Sequence, residues 1–250
     1  MGLRGRLGLV WLLLWPIGEA SDLLSAQEAD ELLGQAKKAA AEGESGEAVR
    51  LATATIEANA QLAEAYYLRG REHFRLGKIN ESVQDFEQFV RMRPDLEPRQ
   101  WELGISYYYA GQFEKGARQF ELYQTYYNND VENSVWRYLC VARLEGIRKA
   151  RESLLPIHND PRVPMMQIYD LFRAKLSPVE VLEAAAAGRP GAEDLKLRGF
   201  YAHLYIGLFY EADGNQELAR EHIVAAEQHR LSHYMWDVAH YHATLLGQEK

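Results

Sequence analysis

Along this chain the same kinds of residue return every 34 positions: Gly43, Gly77 and Gly111 in one phase, Ala48, Ser82 and Gly116 in a second, Ala52, Phe86 and Phe120 in a third. A period of that length, with a small residue where two helices cross and a glycine where the chain turns, specifies a helix-turn-helix unit. Such a unit buries its apolar face only by stacking on a neighbour. The expected fold class is therefore all-α, an α-solenoid of stacked helix pairs, and a chain of this kind serves as a surface for other molecules.

Aligning the units gives blocks at 29–62, 63–96 and 97–130. The third carries Leu103 and Gly104, then Tyr107, Gly111 and Phe120; the second carries Gly70, His73, Gly77, Ser82, Phe86 and Pro94 at matching places. Gly70 and Gly104 let the two helices of a unit approach closely, Gly77 and Gly111 sit at the turn, and Pro94 ends the second helix. These residues resemble the tetratricopeptide repeat family. The block at 131–164 keeps a helical apolar pattern (Val135, Trp136, Leu139) and Ala150 in phase, but places Tyr138 where close packing asks for glycine, and reads as a degenerate unit. Pro156, Pro161 and Pro164, with Asn159 and Asp160 between, predict a long loop and a hinge.

Beyond it, Met165, Ile168, Tyr169, Phe172 and Leu176 share one helical face, and Ser177, Pro178 and Glu180 form a capping box before a short helix. This pair is repeat-like. A further unit is expected at 200–233, with Gly207, Tyr210, Gly214, Ala219 and Ala226 in the family's positions, followed by a closing helix from Tyr234 to Leu246. The chain thus divides into a leader (1–20), an amino-terminal array (21–164) and a carboxy-terminal part (165–250).

The leader is read from Arg4 and Arg6, an apolar stretch from Leu7 to Ile17, and Gly18 and Ala20 at the small-residue positions before a cleavage. Export to a periplasm or to the outside is expected; membrane association follows only if the segment is retained as an anchor, which would make the chain a membrane-bound assembly factor. The net charge of -8 argues against nucleic acid as a partner. One cysteine, Cys140, allows no internal disulfide, lies far from the leader and reads as a small buried hydrophobe. The segment from Tyr201 to Leu246 is similar to the tail of periplasmic repeat lipoproteins that bring cell-wall hydrolases and proteases together. That resemblance implies an adaptor in cell-envelope assembly or maintenance, without the lipid-bearing cysteine.

First helices of successive units line the concave face, so Lys37, Tyr67, Arg71, Phe74, Arg75, Trp101, Ile105, Tyr108 and Tyr109 are the expected groove. Aromatics beside guanidinium groups suit a peptide with carboxylates. Some family members grip a chaperone's terminal carboxylate, but Leu33, Leu68, Pro98 and Glu102 stand where that clamp needs polar or basic groups. The competing reading is a metal-binding protein or enzyme using the histidines of the last 48 residues, His229 and His233 foremost, although no compact ligand motif accompanies them. No catalytic motif appears, no cofactor is expected, and the acidic pair Glu81 and Asp85 reads as a solvated helix face. Tyr234, Trp236 and Tyr241 make the closing helix apolar enough to suggest a homodimer.

Overall fold

A computed structural model of the chain describes residues 17–248, with side chains from 27 to 247. Residues 1–16 of the expected leader lie outside the described residues, and residues 17–20 begin a helix. The helices pair in sequence order: α1 (Ile17–Ala41) with α2 (Ser45–Ala58), α3 (Ala63–Arg75) with α4 (Ile79–Met92), α5 (Trp101–Tyr109) with α6 (Phe113–Tyr126), and α7 (Val131–Glu145) with α8 (Ile147–Glu152). Then come α9 (Met165–Phe172) and α10 (Pro178–Ala186), α11 (Ala192–Ala212) with α12 (Gln216–Gln228), and α13 (Tyr234–Gln248). No strand occurs among the described residues, and none of their helices is long and apolar enough to cross a membrane.

The second helices α2, α4, α6 and α8 start at Ser45, Ile79, Phe113 and Ile147, so the 34-residue register of the sequence is the register of the fold. Gly104 shows why small residues recur: a Cβ there would stand 2.7 Å from the Phe120 ring on the paired helix. Gly111 turns the chain between them at φ +71, a left-handed conformation that costs glycine nothing. Pro94 follows the end of α4 and opens a 3-10 turn, Pro94–Arg99, that leads into α5.

The fourth unit fails for the reason the sequence gives. Tyr138 fills the crossing position, is buried, and packs with its ring centroid 5.0 Å from that of Phe172. Its second helix, α8, stops after six residues, and α9 packs on α7 as well. The proline-rich segment after α8 is a loop, as expected, and it is hydrogen-bonded to its neighbours. Ser134 Oγ donates to the Leu155 carbonyl at 2.9 Å, Asn129 Oδ1 accepts from the His158 and Asn159 amides, and the Asp160 side chain is buried. These hydrogen bonds fasten the loop to α7 and to the turn ahead of it. The capping box at Ser177 and Glu180 forms at the start of α10. Helix α11 begins at Ala192, ahead of the expected Phe200, because nothing before Phe200 breaks the helix and Gly199 gives room to His229.

One expectation is corrected by burial. Asp85 is not solvated: it is 4% exposed, accepts a bidentate pair from Arg69 at 2.9 and 2.7 Å, and lies 3.0 Å from His73 Nδ1. The i+4 spacing to Glu81 shows only that two residues share a face, and here Asp85 sits at its buried margin against α3. Helix α13 does more than cover the last pair. It packs on α12 and also reaches back to α3, where Asp237 accepts from Arg75 at 2.9 Å and Tyr241 meets the turn at Gly77. One hydrophobic core consequently runs from Phe74 to Leu246. Of the side chains expected at a dimer face, Tyr234 is buried on Phe74, while Tyr241, also against Phe74, and Trp236, stacked on the exposed His240, stay partly exposed.

Candidate partner-binding surfaces

The expected groove divides in two. Phe74 and Ile105 are 0% exposed and Tyr108 is 6% exposed, so these three present no free surface. Phe74 and Trp101 both meet Tyr234, Tyr109 meets Tyr241, and the Tyr109 hydroxyl lies 2.9 Å from His242 Nδ1, all on or at α13. Tyr108 packs edge-on against Trp136 of the next unit. Aromatic residues on successive first helices are therefore taken up largely by the chain's own last helix and by packing between units.

Lys37, Tyr67, Arg71 and Arg75 remain at an open depression of about 280 Å³ between α1 and α3, floored by Ala40, Ala41 and Leu68. Lys37 pairs with Glu64 at 2.8 Å, both well exposed, a contact of little energetic weight. Tyr67 donates to Glu102 at 2.7 Å; burial raises the Glu102 carboxyl, and burial together with that carboxylate raises the Tyr67 phenol. Arg71 lies 5.1 Å from the centre of the Tyr234 ring and Arg75 donates to Glu72 at 2.7 Å. Arg71 Nε and Glu72 Oε2 are buried with no hydrogen-bond partner in the chain. They are an orphan donor and an orphan acceptor on successive residues of α3, groups of the kind a peptide backbone satisfies.

Sequence reasoning missed a second concavity. A cavity of about 180 Å³ lies inside the array, walled by Trp101, Phe120, Trp136, Tyr201 and Met235, with Asp130, Glu132, Asn133, Arg162 and His233 at its polar side. Arg162 holds Asp130 at 2.7 Å, Glu132 at 2.6 Å and Asp160 at 2.6 Å, and the Tyr205 hydroxyl donates to the other Glu132 oxygen at 2.7 Å. Burial first, then the neighbouring Asp130 charge, push the Glu132 carboxyl up to about 7. Arg162 belongs to the proline-rich loop, which has no repeat phase, so no periodic signal marks it.

The histidines do not converge as the metal reading needs. His233 stands at the central cavity, whereas His229 lies against Gly199 and near His203. His203 and His222 meet through their Nδ1 atoms at 3.0 Å, and burial, then the two neighbouring histidines, hold His203 down at about 4. Among the described residues no group of three or more histidine, cysteine or acidic side chains has the arrangement to hold a metal. Cys140 is fully buried with its Sγ against Gly116, and burial pushes its thiol up to about 12, which leaves it unreactive.

Residues 63–96 match the family described as Tetratricopeptide repeat, and this is the second helix pair of the array. Among curated proteins none matches the chain. Among solved structures it is similar to a MamA RS-1 ArsTM double mutant, at 14% identity and TM-score 0.50 over 81% of this chain and 94% of that one. It is also similar to YrrB, titled a TPR protein with an unusual peptide-binding site, at 18% identity and TM-score 0.46 over 92% and 98% of the two chains. A third is the C-terminal part of a TPR repeat-containing protein from Cytophaga hutchinsonii, at 16% identity and TM-score 0.42 over 85% and 73%. The first likeness bears on the fold alone.

Proposed function

We propose that this chain, whose second helix pair matches the tetratricopeptide repeat family, is a non-catalytic scaffold whose partner polypeptide docks on the depression between α1 and α3. The observation that carries the reading is the buried, unpartnered pair Arg71 Nε and Glu72 Oε2 beside apolar Leu68 and Tyr67. A peptide laid there gains hydrogen bonds once small side-chain shifts bring these buried atoms to it, while Tyr67 and Arg75 are already held by Glu102 and Asp237. Preorganisation of this kind leaves most of the ordering cost with the flexible partner.

Peptides selected from a random displayed library against the wild-type protein test it. Lys37→Glu combined with Leu68→Ala should weaken their binding about tenfold or more, some 1.4 kcal/mol, with helix content unchanged. Equal binding by the double variant rejects this surface. The reading includes export, supported by the basic and then apolar start of the sequence, and a role as an adaptor in the cell envelope. Amino-terminal sequencing of the mature protein should return Ser21 as its first residue; a chain that keeps its first residues would be anchored instead.

A further inference from the structure

The α1–α3 surface leaves the central cavity unused, and its chemistry is specific. Three carboxylates, Asp130, Glu132 and Asp160, face a single guanidinium, and Arg162 spends every edge on them: Nε on Asp160, Nη1 on Glu132, Nη2 on Asp130 and Asp160. Four of its five N–H groups are thus engaged, so an anion would find a single uncommitted N–H on Arg162, while the cluster as a whole carries excess negative charge. Two more groups are unfinished. Asn133 Oδ1 and Trp136 Nε1 have no hydrogen-bond partner, on side chains that line the cavity and are 3% and 2% exposed. Leaving such atoms unpaired costs about 1–3 kcal/mol each, so an occupant that completes them is favoured.

An orphan acceptor calls for an N–H group and an orphan donor for a carbonyl. Trp101, Trp136 and Tyr201 add aromatic walls, which attract a cation through their ring faces. The volume of about 180 Å³ is far above the ~15 Å³ that one water needs and below the ~300 Å³ at which drug-sized pockets begin. We propose that this cavity binds one basic residue, arginine or lysine, of the partner polypeptide, its charged N–H groups toward Asn133 and the carboxylates and its backbone carbonyl toward Trp136; the partner itself rests on the scaffold reading above. Arg162 and His233 are exposed to solvent, so the cavity is open on their side.

Protonation gives the site a signature. The groups around Glu132 are Asp130 at the cap of its own helix, Tyr123 on α6, Asp160 and Arg162 on the loop, Tyr201 and Tyr205 on α11, and His233 before α13, whose charged form is disfavoured by partial burial of its ring. With the Glu132 carboxyl near 7, a bound cation draws off its proton, so affinity rises from pH 6 to pH 8.

Titration of the whole protein with Nα-acetyl-arginine methylamide and Nα-acetyl-lysine methylamide, followed by calorimetry and tryptophan fluorescence, tests the assignment, with Nα-acetyl-norleucine methylamide as the uncharged probe. Both basic probes should bind saturably and the norleucine probe about tenfold more weakly or less. Glu132→Gln should lose about tenfold in affinity and flatten the pH dependence, and Trp101→Leu, at the half-buried edge, should weaken binding with α-helical content intact. Norleucine binding as well as arginine, no saturable binding of either basic probe, or unaltered affinity in a folded Glu132→Gln protein would overturn the proposal. Peptide capture that still depends on Lys37 and Leu68 would in that case leave the scaffold reading standing.

Discussion

At the residue scale, three glycines separate three physical reasons for the same side chain. Gly104→Ala drives a Cβ to 2.7 Å from Phe120, an overpacking that should cost about 1–3 kcal/mol. Gly111→Ala has open space but sits at φ +71, and should cost about 1–2 kcal/mol through backbone strain. Gly34→Ala, within α1 and with nothing near its Cβ, should stabilise by about 0.5–1 kcal/mol. Each kcal/mol moves Tm by roughly 2–4 °C in a chain of this size, so thermal unfolding should place Gly34→Ala above the wild type and the other two below it, and a Gly104→Ala protein as stable as the wild type would mean that helix crossings do not set the repeat. Asp85 offers a harsher test. Burial by itself would raise its carboxyl, but hydrogen bonds from His73 and Arg69 outweigh burial and hold it below the usual range. Asp85→Asn should cost about 3 kcal/mol by leaving Arg69 without its counter-charge; a loss within ~0.5 kcal/mol, the scatter of an ordinary surface site, would show the pair to be inert.

At the element scale, what was legible followed the register. The turns at Gly77 and Gly111, the crossing at Gly104 and Phe120, the cap at Ser177 and the failure at Tyr138 are local, and each leaves a residue type at a fixed phase. The return of α13 onto α3 leaves none, because Arg75 and Asp237 are 162 positions apart and Tyr109 and His242 are 133 apart. A single sequence records that Tyr234 and Tyr241 are apolar and cannot say what they meet. The same blindness hid the central cavity, where the start of α7 meets Arg162 from a loop that has no repeat phase. Tyr234→Ala removes a 2%-exposed ring that contacts Phe74 and Trp101, and should cost about 3 kcal/mol. Hydrogen exchange should then speed up in α3 and α5 as well as in α13, with α10 unaffected. Faster exchange confined to α13 would mean that its docking lends the array no stability.

For the whole molecule, acid stability is a contest between buried groups of opposite sign. Burial lowers His203 to about 4 and also lowers His222, His229 and His233, so between the ordinary histidine value and those lowered ones the unfolded chain binds more protons, and stability falls as pH falls through that window. Glu132, raised to about 7 from 4.5, works the other way: the folded chain holds the extra proton, and its contribution is complete at low pH and lost as pH rises through 7. The two act together between about pH 4.5 and 6.5; Glu102, also raised by burial, works in the same sense as Glu132, and the four histidines outnumber these two carboxyls. Tm should therefore decline from pH 7 to pH 5. Glu132→Gln removes the opposing proton and should steepen that decline by up to about 1.4 kcal/mol per pH unit, whereas His203→Gln should make it shallower. Identical slopes in all three proteins, measured by denaturant unfolding across the range, would show that neither group is buried as the fold places it, and the inner cavity would then be open to water rather than held for a guest.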